Sequence, residues 1–529
     1  MLNKHQLMVA VSSTFAFVVA GCSNVATFQV QLPTLVPLAE FNERYTESSP
    51  IEINFWTGFG AAVSTSIEDG ITQFQSIYPN IKVTHTSKGG YDNLLKAINL
   101  SVTSRTYPDV AIGYPDHFAN YIRSSIQLAL DPLIASSEYG LDIDDFVADY
   151  MGENRSFQFD EQGDPYTLGL PFNKSTEVMV ANQTFFDFMA SLDATIVVPQ
   201  TWDQVRAAGE KILDRMATTV DVDGDASVYG KQVVFSSDLN EYRVIKSGAT
   251  APVGFALVLD FSAVIDTEFY PFSYDSMANF FITAVRQWGG TYTEMGENIT
   301  RGYIRFNTPE IATMLEYFKD LHEDKILAIP ITFGQPQYNS IPFRGNKSVL
   351  TISSSAGVFN NVPSAGAFEV TIHPVPYQNA SRKYVISQGT NMALFTNRNA
   401  DRVLASWLFM RYMTTNPGNT QFSVSAGYYP STESGLASAF YQGYLGATEV
   451  NSNDKSKIDS AKVNANVYGQ ASQNWIKFVD PGFVGSSDIR EQLDTAFPIL
   501  LYGRDGTTLT AQEVLDYLES NLSRYVEAV

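Results

Sequence analysis

The chain has 529 residues, more than one hydrophobic core usually serves, so two lobes are expected. Its hydrophobic fraction of 44% is ordinary, but a formal net charge of −22 argues against nucleic acid as a partner. Five histidines without zinc-binding spacing, and no His-Glu-x-x-His, Gly-x-Ser-x-Gly or phosphate-loop motif, point to no enzyme and no metal or cofactor.

Residues 1–21 read as a secretory signal peptide: Lys4 is the only acidic or basic charge of a short n-region, and a mostly apolar run from Leu7 to Val19 follows. Val19-Ala20-Gly21-Cys22 has the form of a lipobox, so Cys22 is the expected lipidation site and the membrane is reached through an N-terminal lipid anchor. Cys22 is the only cysteine, which rules out an internal disulfide. Residues 22–50 are polar and irregular, as suits a tether.

Strand and helix then alternate. Ile51–Phe55 predicts a strand, and Val63, Ile67, Ile71 and Phe74 recur at helical spacing until Tyr78-Pro79-Asn80. Ile81–Thr84, a helix from Tyr91 to about Val102, and a strand Asp109–Gly113 follow. This order predicts a mainly parallel sheet with ligands at the strands' carboxyl ends, where Trp56-Thr57-Gly58, Lys88-Gly89-Gly90-Tyr91 and Tyr114-Pro115-Asp116-His117-Phe118 lie.

Leu170-Pro171-Phe172-Asn173-Lys174-Ser175-Thr176-Glu177-Val178 is a polar centre between apolar flanks. Pro171 stiffens it, and it reads as a hinge segment beside a ligand, with Lys174 and Glu177 as a local ion pair. Thr201 is a candidate N-cap. Asp221-Val222-Asp223-Gly224-Asp225 has calcium-loop spacing, but Ala226 and Gln232 replace the glycine and bidentate glutamate of that motif, so a solvated acidic turn is expected. Pro309–Lys325 predicts an amphipathic helix, Val349–Ile352 a strand running into Ser353-Ser354-Ser355, and Thr510-Ala511-Gln512-Glu513 a capping box. The serines before a predicted helix could offer hydroxyls and N–H groups to an anion or to sugar oxygens.

Several stretches in this order resemble the extracytoplasmic solute-binding proteins (family 1) of carbohydrate ABC transporters, in particular their glycerol-3-phosphate-binding branch. They are Asn54-Phe55-Trp56, Lys88-Gly89-Gly90-Tyr91, Leu170–Val178 with Asn182, Pro199-Gln200-Thr201-Trp202 and Phe306-Asn307-Thr308-Pro309-Glu310, then Phe343-Arg344-Gly345-Asn346-Lys347-Ser348, Gly427-Tyr428-Tyr429-Pro430 and Asp488-Ile489-Arg490.

The resemblance implies an α/β, type II periplasmic-binding-protein-like fold, each lobe a mainly parallel sheet flanked by helices and joined by hinge segments. It assigns 51–168 and 346–390 to the first lobe, and 169–345 and 391–529 to the second. The implied ligand residues are Tyr91, Ser175, Ser354, Gly389, Tyr428 and Arg490, around a polyol phosphate, glycerophosphodiester or sugar that is handed to ABC permease subunits. Where that branch carries Tyr-Glu, this chain has Tyr114-Pro115-Asp116; Asp116-His117-Phe118 is similar to the Asp-Arg-Phe stretch of maltose-type binding proteins. Asp116 therefore joins the candidate set, and a maltodextrin is the alternative ligand. A secreted glycan hydrolase working with two carboxylates is a more distant alternative. The stretch from about 215 to 285 is longer than the family needs.

Overall fold

In β1 (Ile51–Thr57) buried and exposed residues alternate, and β2 (Ile81–Ser87) begins the same way, so one face of each turns to a core. The computed structural model describes residues 32–157, 163–363, 367–448, 461–465 and 474–526. The signal peptide and Cys22 lie outside the described residues.

β3 (Val110–Gly113) is buried on both faces, and β4 (Leu170–Pro171) is a two-residue edge strand leading into the fully buried β5 (Ser175–Asn182). Within the long stretch from 215 to 285, residues 231–260 form an antiparallel sheet of their own in the order β7-β6-β8: β6 (Lys231–Ser236), β7 (Glu241–Lys246) and β8 (Ala256–Asp260). Val233, Val244 and Leu259 anchor it to the core. The acidic turn before it is closed by lysines, Lys231 on Asp221 at 2.9 Å and Lys246 on Asp223 at 3.2 Å.

β9 (Phe272–Tyr274), the hairpin β10 (Thr293–Met295) and β11 (Gly302–Ile304), and β12 (Leu327–Ala328) follow. Then come β13 (Leu350–Ser354), β14 (Val370–His373), β15 (Tyr384–Gln388), β16 (Asn391–Leu394) and β17 (Ile476–Phe478).

Two main sheets result, each with its own core. The first runs β2-β1-β3-β16-β4, the second β12-β9-β13-β5-β15-β17 with β14 also on β5. β1, β2 and β3 pair in parallel, as do β9, β12 and β13, whereas β5 and β16, which the chain enters on passing between lobes, pair antiparallel with their neighbours. The helix Ala400–Thr414 packs Val403, Leu404, Trp407 and Phe409 into the first core. The C-terminal helix Ala511–Leu522 starts from the capping box on Thr510 and buries Val514, Leu518 and Leu522 in the second.

Two expected boundaries move. Residues 346–390 contribute β13, β14 and β15 to the second sheet, and 391–426 contribute β16 and two helices to the first lobe, the reverse of the expected assignment. The cause is the antiparallel return: after β15 the chain re-enters the first sheet beside β3 instead of staying where it was. The expected tether also shortens. Leu38–Arg44 is a helix with Phe41 fully buried in the first core, and the Tyr45 hydroxyl donates to Asp401 at 3.1 Å.

Two crossings run side by side. Phe172–Lys174 joins β4 to β5, and Gly389-Thr390 joins β15 to β16. They are tied together: Phe172 N–H donates to Thr390 O at 3.2 Å, Thr390 N–H to Asn173 Oδ1 at 3.2 Å, and the Thr390 hydroxyl to the same oxygen. A third passage follows the helix Gly418–Ala426, where Tyr429 N–H donates to Lys174 O at 2.8 Å.

Candidate functional site

The Leu170–Val178 stretch sits at this junction, but not with the expected Lys174–Glu177 pair. Alternation along a strand sends these side chains apart. Lys174 Nζ lies 2.6 Å from Glu153 Oε2, while Glu177 accepts from the Tyr274 hydroxyl at 2.7 Å and the Thr283 hydroxyl at 3.4 Å. Lys174, Glu177 and Glu153 are all buried. Glu153 also accepts from Ser387 at 3.2 Å and Asn391 at 3.3 Å, one residue from each strand flanking the second crossing. Burial raises the Glu177 carboxyl to about 7, against the pull of Tyr274 and of the Arg490 charge.

The lobes meet face to face. Gly482 lies so close to Pro115 that a Cβ there would strike the Pro115 backbone, and Ile299, on the turn between β10 and β11, is buried in the first lobe's core. Between the lobes a narrow cavity of about 40 Å³ is lined by Asp116 from the first lobe, Arg490 from the second and Gly389 from the crossing. Three of the seven candidate ligand residues therefore converge on one space.

Asp116 lies in the first turn of the helix Pro115–Arg123, where its Oδ1 accepts from His117 N–H at 2.8 Å. Arg490, on the helix Ser486–Leu493, donates through Nη1 to Asp480 Oδ2 at 3.2 Å and through Nη2 to Asn279 Oδ1. Burial works against its charge, but Asp480 and Asp116 more than offset this and hold its pKa above the ordinary value. Gly389 has φ +98°, and a Cβ would overlap the Asn173 carbonyl, so only glycine fits.

Tyr91 and Tyr428 form a ring cluster beside this cavity. Tyr91 stands edge-on to Tyr114 with ring centres 5.0 Å apart, and Tyr428 stacks on Phe422 at 5.9 Å. Tyr114 itself lines the cavity. Burial raises the pKa of Tyr91, Tyr114 and Tyr428, so all three are neutral hydroxyls. The approach of the two first-lobe loops is tight: a Cβ on Gly58 would come within 2.8 Å of Gly90, and Lys88 caps the Trp56 ring at 3.5 Å.

Ser175 and Ser354 line neither this cavity nor the larger one next to it. Ser175 pairs with Gln388, and Ser354 with Glu177, at the ends of their strands. Beyond Ser354 the chain forms a 3-10 stretch, Ser355–Asn360, in place of the expected helix, and Ser355 Oγ is taken by Thr176 N–H.

A larger cavity of about 870 Å³ adjoins the narrow one and shares Pro115, Glu153, Ser387 and Asp480 with it. Sequence reasoning missed Glu153, Tyr292, Asp480, Arg286 and Lys477. The Asp480-Pro481-Gly482 turn was the one available signal; Arg286 sits within a largely buried helix, Met277–Gln287, and nothing local marks it. Among the described residues no cluster of His, Cys, Asp and Glu could hold a metal ion, and no helix is long and apolar enough to cross a membrane.

Solved structures share this architecture. The ABC substrate-binding protein Lmo0181 from Listeria monocytogenes, in complex with cycloalternan, is 14% identical with a TM-score of 0.62, covering 90% of this chain and 98% of its own. UgpB from Mycobacterium tuberculosis, in complex with glycerophosphocholine, is 15% identical with a TM-score of 0.61, covering 90% and 98%. The maltose/maltodextrin-binding domain MalE from Bdellovibrio bacteriovorus, bound to maltotriose, is 14% identical with a TM-score of 0.59, covering 90% and 99%. At such identity the likeness establishes the fold, a two-lobed periplasmic-binding-protein-like α/β architecture. No curated protein sequence matches the chain. Residues 71–448 match the family described as bacterial extracellular solute-binding protein, and this span is well over half the chain. The chain is a member of the bacterial extracellular solute-binding protein family.

Proposed function

We propose that the protein is the extracytoplasmic receptor of an ABC importer, held to the membrane by a lipid on Cys22, and that it captures a hydroxyl-rich solute between its lobes. The supporting observation is that Asp116 and Arg490, from opposite lobes, line one cavity beside the crossing at Gly389. A carboxylate and a guanidinium facing each other accept from and donate to the hydroxyls of a polyol, and the Tyr114 ring gives it an apolar face. Binding stabilises the closed arrangement because both walls are complete only when the lobes meet.

Glycerol 3-phosphate, a glycerophosphodiester and a sugar all fit this description. At Arg490 itself hydroxyl contacts are favoured over a phosphate monoester, because that guanidinium is already bonded to Asp480 and Asn279. Structural relatives that hold cycloalternan, glycerophosphocholine and maltotriose span the same range.

Isothermal titration against glycerol 3-phosphate, glycerophosphocholine and maltodextrins tests the reading. Binding of at least one is expected, weakened about tenfold or more by Arg490→Ala or Asp116→Ala. Failure of all of them at millimolar concentration would overturn the substrate class. Release of a Cys22→Ser variant from the membrane fraction is the matching test of the anchor.

A further inference from the structure

The larger cavity carries a charge pattern that the proposed hydroxyl-binding site does not use. Glu153 is engaged by Lys174, and Asp480 by Arg490 through Oδ2 alone, its Oδ1 being buried without a donor. Glu294 is paired with Arg305 at 2.8 Å. Two cations on its wall have no such partner. Among the described residues neither Arg286 nor Lys477 makes an ion pair or a side-chain hydrogen bond, and both lie against rings, Arg286 at 5.4 Å from Phe478 and Lys477 at 5.2 Å from Tyr429. Arg286 Nε is buried without an acceptor.

Five carboxylates line this cavity against three cations, but Glu153, Glu294 and Asp480 each have a cationic partner, which leaves Asp149 and Glu310. Asp480 attracts Arg286 but is hydrogen-bonded to Arg490, and burial brings its carboxyl up to about 6. Asp149 and Glu310 are exposed, and Asp149 acts on Lys477 only through its field; burial takes the Lys477 ammonium down to about 8 against that pull. Arg286 and Lys477 are thus two half-buried cations without ion-pair partners on one cavity wall. Unmet guanidinium and ammonium donors are costly when shielded from water, and a ligand oxyanion relieves that cost.

We infer that this cavity is an anion subsite: the captured solute bears an oxyanion, either a phosphodiester or a carboxylate, which Arg286 and Lys477 hold while its hydroxyls reach Asp116 and Arg490. The inference rests on the receptor reading above and narrows it to acidic, hydroxyl-rich solutes. The space suits it, since about 870 Å³ accommodates more than one sugar ring and adjoins the narrow cavity across shared wall residues.

The test is titration of the full-length protein with glycerophosphocholine, with trigalacturonate and with uncharged maltotriose, repeated at raised salt. One of the two oxyanion-bearing probes, the zwitterionic phosphodiester glycerophosphocholine or the anionic trigalacturonate, is expected to bind at least about tenfold more tightly than maltotriose, and to weaken as salt rises. Which of them does so distinguishes the phosphodiester from the carboxylate. The double variant Arg286→Gln/Lys477→Gln is expected to lose about tenfold or more for that probe, with any maltotriose affinity unchanged. Arg286→Lys/Lys477→Arg, which keeps both charges, is expected to retain most of the anion preference. Thermal melting of the ligand-free double Gln variant is expected at or above that of the parent, because unpartnered cations are removed. Equal binding of the oxyanion-bearing probes and maltotriose, or a double Gln variant that folds and keeps its anion affinity, would overturn the subsite and leave the receptor reading standing. Failure of all three probes, and of glycerol 3-phosphate with them, would overturn the subsite together with the substrate class proposed above.

Discussion

Lys174 Nζ and Glu153 Oε2 lie 2.6 Å apart at the point where two crossings between the lobes run side by side, and both side chains are almost wholly shielded from water. Burial works to lower the lysine's pKa, and the glutamate opposes this. Removing one partner leaves the other charge uncompensated. Lys174→Met is therefore expected to cost about 3–5 kcal/mol, read as a shift in urea midpoint, and Lys174→Met/Glu153→Leu to recover a large part of it. A single variant that melts like the parent would show that the pair contributes nothing.

Gly389 occupies the second crossing with φ +98° and no room for a Cβ. Gly389→Ala forces both a left-handed alanine and a displacement of Asn173, so a loss greater than about 1 kcal/mol is expected in thermal melting. Because the residue also lines the narrow cavity, solute affinity should fall with it. Unchanged melting would mean that the crossings move apart more freely than their hydrogen bonds suggest.

Glu177 supplies a pH signature. Its carboxyl is raised from an ordinary 4.5 to about 7 by burial, and Asp275 is raised likewise to about 7. A raised acid favours the folded state while it stays protonated. Its stabilising contribution is full below the unfolded pKa and is lost as pH rises through the folded one. Glu177→Gln keeps an acceptor for Tyr274 and carries no charge. The variant should match the parent near about pH 4.5 and melt above it near about pH 8, with differential scanning calorimetry as the measurement. Parallel melting curves across that range would rule out Glu177 as the titrating group.

Ile299 gives the closed arrangement its own apolar clasp, reaching from the β10–β11 turn into the first lobe's core. Ile299→Ser should shift the ligand-free protein towards open forms, seen as a larger radius of gyration by small-angle scattering, and should raise the solute dissociation constant by about tenfold. A radius equal to the parent's would show that Ile299 does not hold the lobes together.

Much of the fold was legible because its cause is local. β1 and the helix after it follow from apolar spacing, and the Thr201 cap and the Thr510 box from capping chemistry. The lobe membership of 346–426 was not legible, since nothing local in Tyr384–Leu394 records that β15 pairs with β5 while β16 pairs with β3. Of the candidate ligand set, Asp116, Gly389 and Arg490 meet at one cavity. Arg286 and Lys477 escaped notice because an unpartnered cation is defined by what surrounds it in space, and that is absent from the string of residues.

The return of β16 to the first sheet also sets the order in which the molecule can assemble. Asn397 donates to Asp109 across 288 residues of sequence, and Arg402 bonds the same aspartate across 293, so the first lobe lacks part of its sheet and its main covering helix until about three quarters of the chain has been made. Such distant partners close large loops before any pairing enthalpy is gained, which slows folding. A chain of this design stays unfolded for longer than its early strands alone would suggest.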